Sequence, residues 1–336
     1  LLLRDPALKI VALVDAQQRE SVERAAVELR RVAADVEGRF RCLTWYPDAP
    51  DLGLTAPVAQ LCADVGMIVD LTDLGAPCST TLPPPMPESL RLASHCPQLH
   101  RFDFLSSAFV SGDRRGLVAE FDFGFGQGFK NSWEERLYAR ERAVRVASLP
   151  VTPTIYRPIF LVGDSRTGEI ERFTGAYAPL LLIERLHDMG LPVPMIGRGT
   201  TAAPIVPVDY VAAAIARLII TPQAAGQTFH LADPDAPTIF VAYRRAAILL
   251  TGRAPAFGLD PRLARRLLRS RFGRQWDISP VLVDYLDWPI TYRTANSHAL
   301  LAPVGIVPPS FADYSAAVIE FFADHCDDPR FGARLA

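Results

Sequence analysis

Several side chains in this sequence have the types to do chemistry, and their spacing decides which could. Gly124, Gly126 and Gly128 in 123-FGFGQGF-129 look like a phosphate loop, but they follow no strand, so they read as a structural turn. Cys42, Cys62, Cys78, Cys96 and Cys326 are scattered with no CxxC pair. That pattern points to reduced thiols in a cytoplasmic protein, not to a disulfide framework. The six histidines lack metal-ligand spacing. In His325-Cys326-Asp327 adjacent side chains point in different directions, so this run reads as an ordinary surface turn. Residues 262-RLARRLLRSRFGR-274 carry six arginines and no acid. Leu263, Leu267 and Leu268 suit one face of an amphipathic helix there, with a solvated basic side.

These residues must be positioned by an alternation of strands and helices. Lys9 to Val14 is a buried strand by pattern, after a turn at Asp5-Pro6. A helix spans 18–36, with Val22, Ala26, Leu29 and Val32 on one side. Strands follow near 40–45 and at 64–71, the latter a continuous apolar run that suits the interior of a parallel sheet. The Pro-rich 82-LPPPMP-87 is a loop, and Pro87-Glu88 opens a short helix to His95. Next come strand 101–107, a Gly-rich loop, a helix from about 132 to 148, and strand 151–163. Such alternation predicts right-handed crossovers and a doubly wound sheet. From about 170 onward helices dominate, so residues 1–169 read as a Rossmann-like domain. Residues 170–336 read as a smaller, mostly helical lobe, with segments near 205–234 returning to the sheet.

A chain of 336 residues, 49% hydrophobic and 21% charged, can bury a large core. Its net charge of −2 calls for neither nucleic acid nor a membrane surface. The most apolar stretch, 211-VAAAIARLII-220, is interrupted by Arg217 and is too short to span a bilayer. The opening 1-LLLRDPALKIVALVD-15 has no charged n-region and cleavage site, so this stretch does not read as a signal peptide.

Four stretches carry a family resemblance: 104-FLSSAFVSGDRRG-116; 126-GQGFKNSWEERLYARE-141; 151-VTPTIYRPIFLVGDSRTGE-169 with 205-IVPVDYVAAAIA-216; and 228-TFHLADP-234. Together they resemble the extended short-chain dehydrogenases/reductases, in particular the thioester and fatty-acyl reductase branch. The Arg157-Pro158 and Val208-Asp209 landmarks fit, and the likeness runs through 305-GIVPPSFADY-314. It implies an α/β fold of Rossmann type, a nicotinamide cofactor (NADP or NAD), and cofactor contacts from Pro158 and Ile159. Members open with a strand, a TGxxGxxG turn that seats the pyrophosphate at a helix N-terminus, and a first helix. Leu1 to Arg4 match the end of that helix and Lys9 to Val14 the second strand, so the resemblance places the glycine turn upstream of Leu1. If Lys9 to Val14 is instead the first strand, Asp15-Ala16-Gln17-Gln18 offers no glycine for the turn. In the first register, strand 9–14 should neighbour strand 64–71 only across a gap.

Hydride transfer in this family uses a Tyr-x-x-x-Lys pair on a helix and a Ser or Thr on the preceding strand. A phenol of pKa ~10 needs a neighbouring ammonium to favour its phenolate near neutral pH, and i, i+4 spacing brings the two together. Ser107 matches the hydroxyl position. The pattern Asn-x-Tyr-Glu-x-x-Lys falls on 131-NSWEERL-137, so Trp133 stands for the tyrosine and Leu137 for the lysine. An indole N–H does not titrate in the accessible range and Leu carries no charge. Tyr138 with Arg142 offers a displaced pair, but five residues late and about 140° around the axis. Thr72-Asp73 adds a carboxylate that would face a bound pyrophosphate, and 44-TWYPD-48 lacks the Gly-Asp pair that relatives use near adenine.

Two readings follow. In one the chain is a non-catalytic relative that keeps the fold and binds an acyl thioester, delivered by an acidic acyl carrier protein or coenzyme A. Arg265, Arg266 and Arg269 are then its docking patch, since arginines recognise phosphate and carboxylate well. In the other it is an active NAD(P)H-dependent reductase whose glycine segment lies upstream.

Overall fold

Apolar strands that lead into helices must cross over to pair again, and the computed structural model shows the parallel ladders this demands. It describes residues 7–14, 19–32, 38–46, 58–72, 74–77, 82–270, 273, 278–286 and 288–331. By contact density the chain divides into two compact units. The smaller comprises Leu1–Ile68, Pro87–Phe102 and Ala147–Val151, and the larger Val69–Met86, Asp103–Val146 and Thr152–Ala336.

The first elements are β1 (Ile10–Val14), α1 (Arg19–Val32), β2 (Phe40–Thr44), α2 (Val58–Cys62), β3 (Met67–Asp70), α3 (Ser89–Ala93) and β4 (Arg101–Leu105). In the smaller unit β1 pairs in parallel with β2, from Ile10↔Phe40 to Val14↔Thr44. Helix α1 buries Ala26 and half-buries Val22 and Leu29, while its exposed side carries Arg19–Glu23 and Arg31–Glu28 ion pairs. The apolar stripe is therefore where the 3.6-residue period puts it.

The larger unit continues with β5 (Gly116–Val118), α4 (Ser132–Val146), β6 (Thr154–Pro158), β7 (Phe160–Val162), α5 (Ala178–Asp188), β8 (Pro194–Ile196), β9 (Ile205–Pro207) and α6 (Val208–Ile219). Then come β10 (Thr228–Leu231), α7 (Ile239–Thr251), β11 (Phe257–Leu259), α8 (Pro261–Arg269), α9 (Val283–Leu286), β12 (Ile290–Tyr292), α10 (Ala295–Leu301) and α11 (Phe311–His325). The main sheet has the order β10-β6-β4-β3. Strands β4, β6 and β10 bury Phe104, Ile155, Tyr156, Phe229 and Leu231 wholly, together with the polar Asp103, Arg157 and His230, as a parallel sheet covered on both faces requires. Among the described residues β1 forms no ladder with β3.

One expected strand divides. The run 151–163 splits at Ile159: β6 pairs with β4 and β10, whereas β7 pairs with β9. Pro158 has no N–H to donate to a ladder, and Phe160 N donates instead to the Pro204 carbonyl at 3.0 Å. Further two-stranded ladders, β5–β12 and β8–β11, stud the helical C-terminal region. There Phe173, Tyr177, Ile183 and Phe322 are wholly buried at the centre of a second apolar cluster. Among the described residues no helix is long and apolar enough to cross a membrane.

Candidate functional site

Helix α4 begins with a capping box. Asn131 Oδ1 accepts from Glu134 N at 3.0 Å, and Glu134 Oε2 reaches back to accept from Lys130 N at 2.9 Å. Glu134 is completely buried, yet every direction it faces offers a donor. Lys130 Nζ lies 2.8 Å from Oε1, and Tyr285 donates its hydroxyl to the same oxygen at 2.8 Å. Asn131 Nδ2 in turn donates to Tyr285 Oη at 2.9 Å. Lys130 also donates to the Gly112 carbonyl at 2.9 Å and stands 3.4 Å from the centre of the Trp288 ring. Burial holds the Lys130 ammonium below its ordinary pKa, against the pull of Glu134. Burial and the Glu134 charge push the Tyr285 phenol far upward, the reverse of what an acid/base tyrosine needs.

One turn on, the positions matched to tyrosine and lysine face inward. Trp133 is 4% exposed and Leu137 1%. The Trp133 indole N–H donates to the Leu74 carbonyl at 2.6 Å. Its ring packs against Phe109 (centroids 5.4 Å apart) and stacks on Phe160 (6.4 Å). Phe109 also meets Phe160 at 4.2 Å, Tyr285 at 5.5 Å and Trp288 at 5.3 Å, so five rings share one cluster. Ser107 caps the 3-10 turn Ala108–Ser111: its Oγ accepts from Phe109 N at 3.4 Å and donates to the Pro158 carbonyl at 3.2 Å. That turn ends at Gly112, φ +60°, where a Cβ would lie 2.1 Å from the Gly128 carbonyl oxygen.

The displaced pair is not assembled. Tyr138 stacks on Phe123 at 4.6 Å and meets Phe129 at 5.2 Å, a different set of rings from that around Trp133, and Arg142 is exposed. The Gly124–Gly128 segment is the turn its context implies. Gly124 and Gly126 have φ +76° and +72°, and Asp113 pins the segment through Gly128 N at 2.9 Å. Thr72 closes a turn after β3 by donating N–H and Oγ1–H to Asp70 Oδ1 at 2.9 and 2.5 Å. Asp73, Cys78, Pro47 and Asp48 lie outside the described residues. Pro158 and Ile159 are buried at the end of β6, where Ile159 N donates to the Leu231 carbonyl at 3.4 Å. His325 does not sit in a metal cluster: its Nδ1 lies 2.8 Å from the Phe321 carbonyl at the end of α11, and its ring stacks on Phe321. Among the described residues no group of three or more His, Cys, Asp or Glu could hold a metal.

Arg157, a landmark of the motif reading, is a structural anchor. It bonds Glu141 through Nε (3.0 Å) and Nη2 (2.6 Å), and Nη1 donates to the Asp122 carbonyl at 3.0 Å. Burial alone would raise the Glu141 pKa, but Arg157 and Arg145 pull it down to about 2. His230 faces a carbonyl and a guanidinium. Since the one only accepts and the other only donates, Nδ1–H points at Arg293 O (2.9 Å) and Nε2 at Arg157 Nη1 (3.4 Å). Burial and the Arg157 charge hold it neutral, with a pKa near 3.

Helix α8 starts at Asp260, whose Oδ1 accepts from Arg262 N at 2.8 Å, and continues through Pro261. Its buried residues are Ala264 and Leu268. Leu263 and Leu267, expected on the buried face, are 47% and 45% exposed. Ala264 and Leu268 are one full turn apart and define a narrower contact stripe than the leucines implied. Arg262, Arg266 and Arg269 are exposed, while Arg265 forms an ion pair with Asp284. Sequence reasoning missed Lys130 and Tyr285. Lys130 sits beside the recognised Asn131 and was in reach, but Tyr285 is 154 residues away from Asn131 and only the fold brings it in.

Parallel strands in this order, with a capped α4 and an Arg157–Glu141 anchor, define an extended short-chain dehydrogenase/reductase chain. It belongs to the NAD-binding male sterility protein family, whose model matches residues 1–215. Among solved structures, the terminal R domain from the myxalamid PKS-NRPS biosynthetic pathway is similar with a TM-score of 0.68 and 19% identity, over 96% of this chain and 86% of that one. A thiolation-reductase di-domain from an archaeal non-ribosomal peptide synthetase has a TM-score of 0.68 and 14% identity, over 96% and 71% of the two chains. UDP-glucuronic acid 4-epimerase from Bacillus cereus, in complex with NAD, has a TM-score of 0.59 and 14% identity, over 97% and 92%. At these identities the likeness is one of fold. No curated protein sequence matches the chain.

Proposed function

We propose that this chain is a non-catalytic member of its family, a binding module that keeps the reductase fold without hydride transfer. One observation carries the reading: Trp133 and Leu137 occupy the Tyr and Lys positions, buried, with the indole N–H committed to Leu74. These residues do not fit the nicotinamide cofactor's chemistry. No phenol titrates beside an ammonium at the motif, and the Ser107 hydroxyl is spent on Phe109 N and Pro158 O. Tyr285 and Lys130 do not replace the pair, because Glu134 between them disfavours the phenolate. The motif therefore supplies no proton to accompany a hydride.

The ligand in this reading is an acyl thioester presented by an acyl carrier protein or coenzyme A. The thiolation-reductase architecture of one similar structure supports that class of partner. Residues 1–169 form the degenerate cofactor half and 170–336 the ligand-binding region. Arg266 and Arg269 are the docking residues; Arg265, engaged with Asp284, holds α8 in place. The test is a titration with NADPH followed by a turnover assay on acyl thioesters. Saturable cofactor binding near micromolar, about −8 kcal/mol, together with thioester-dependent NADPH oxidation would overturn the reading.

A further inference from the structure

Two of the scattered cysteines come together inside the smaller unit. Helix α2 ends at Cys62, and a turn carries the chain to Gly66, with Val65 N donating to the Cys62 carbonyl at 3.1 Å. Helix α3 ends at Ala93, and Cys96 opens the same kind of turn: Leu99 N donates to the Cys96 carbonyl, also at 3.1 Å. The two turns meet where the Gly66 carbonyl accepts from His100 N at 2.9 Å and from Arg101 N at 3.2 Å. Gly66 permits this approach, since a Cβ there would stand 2.4 Å from the His100 ring. Each cysteine therefore stands four residues before one shared junction, Cys62 before Gly66 and Cys96 before His100. Both side chains turn inward, Cys62 3% and Cys96 4% exposed, as do Val58, Ala93 and Leu99 of the same segments. Cys96 donates its S–H to the Leu92 carbonyl at 3.2 Å, which leaves its sulfur to accept from Cys62, its side-chain partner.

A buried thiol by itself packs as a small hydrophobe. Two buried thiols in contact hold both halves of a disulfide, and closing it draws the sulfurs together to about 2 Å. We propose that Cys62 and Cys96 form a reversible disulfide, a redox-dependent lock that joins α2 to the turn after α3 when the chain meets a small-molecule disulfide such as glutathione disulfide. One cysteine thiolate attacks a sulfur of the glutathione disulfide and one glutathione thiolate leaves. The second cysteine then attacks the mixed disulfide and expels the other. The two cysteine sulfurs are oxidised, the glutathione disulfide is reduced, and the two cysteine protons pass to the departing thiolates. Burial, and then the neighbouring Cys62, push the Cys96 thiol up to about 12. Thiolate is therefore scarce in the closed fold, and exchange waits on local opening. Cys42 has Glu23 and Arg19 as charged neighbours and Cys326 has Glu184 and Asp327, which makes them internal controls. The inference is independent of whether the chain transfers hydride.

The experiment takes the full chain, reduced and freed of reductant, to equilibrium without oxygen in glutathione buffers of rising disulfide content. Urea below the unfolding midpoint speeds the opening. Quenching with N-ethylmaleimide and cleavage after arginine and before aspartate place Cys62, Cys78 and Cys96 on separate peptides. The expected product is a linked pair, Cys62 with Cys96, lighter by two hydrogens, while Cys42 and Cys326 are alkylated. The oxidised chain should melt several degrees higher, because the bridge restricts the unfolded chain, and should fall back on adding dithiothreitol. Cys62→Ala and Cys96→Ala should each abolish the linked pair and the shift, and Cys42→Ser neither. Should an alanine variant fail to fold, the peptide map of the wild-type chain decides alone. Recovery of Cys62 and Cys96 as alkylated residues in the most oxidising buffer overturns the proposal. So does a glutathione adduct that stays on either cysteine, a bridge to Cys78 in place of the pair, or a melting temperature that falls on oxidation.

Discussion

Trp133→Phe is the substitution that weighs the inward-facing motif most directly. It keeps a ring but deletes the indole N–H that donates to the Leu74 carbonyl at 2.6 Å. Leaving that half-buried carbonyl without its donor costs about 1–2 kcal/mol. The smaller ring also leaves a gap beside Phe109 and Phe160. A missing volume of roughly 40 Å³ at ~24 cal/mol per Å³ adds about 1 kcal/mol. The sum, roughly 2–3 kcal/mol, is readable as a shift in the urea midpoint at unchanged slope. Far-UV circular dichroism is the suitable probe, since the substitution removes a fluorophore. A loss below ~0.5 kcal/mol would refute the reasoning, because Trp133 would then hold nothing together and its burial would have no bearing on the fate of the motif.

Restoring chemistry should need Trp133→Tyr and Leu137→Lys together; NADPH oxidation should stay at background in the wild type and in either single variant, and turnover lost on Tyr138→Phe would show the register to be wrong. Acid should destabilise the protein in two stages. His230 is neutral in the fold down to about pH 3 but takes a proton near 6.5 when unfolded, so stability falls as pH drops below about 6.5. Glu141, held near 2, adds a further loss below about 4.5. Each contributes at most ~1.4 kcal/mol per pH unit in its window, and His230→Gln should flatten the melting-temperature profile between pH 6.5 and 4.5. Arg266→Glu with Arg269→Glu should weaken capture of an acyl carrier protein, itself steeply salt-dependent, at unchanged melting temperature. Arg265→Glu should instead lower the melting temperature by placing two carboxylates together at Asp284.

Much of the fold was legible because period and composition act locally. The strand expected at 101–107 is β4, and the helix expected from about 132 to 148 is α4. That Trp133 and Leu137 stand where the family motif has Tyr and Lys is a reading of the sequence pattern. What covers Trp133 was not legible there. Phe160 and Tyr285 come from a strand that breaks at Pro158 and a four-residue helix near the C-terminus, and no local pattern links them to α4. The leucines of α8 misled because hydrophobic type was taken for burial, while Ala264, small enough for close approach, makes the contact.

The opening turn of α4 divides its labour between alternating residues. Asn131 and Glu134 supply the bonds that nucleate the helix, and they would do so beside any side chain at 133 or 137. A lineage can therefore discard the reactive pair without unravelling the segment that presented it. The Glu134 carboxylate is not dispensable in the same way, because its loss would take the counter-charge from Lys130 and the acceptor from the Tyr285 hydroxyl. In this helix the bonds that start the first turn are thus separable from the side chains at 133 and 137.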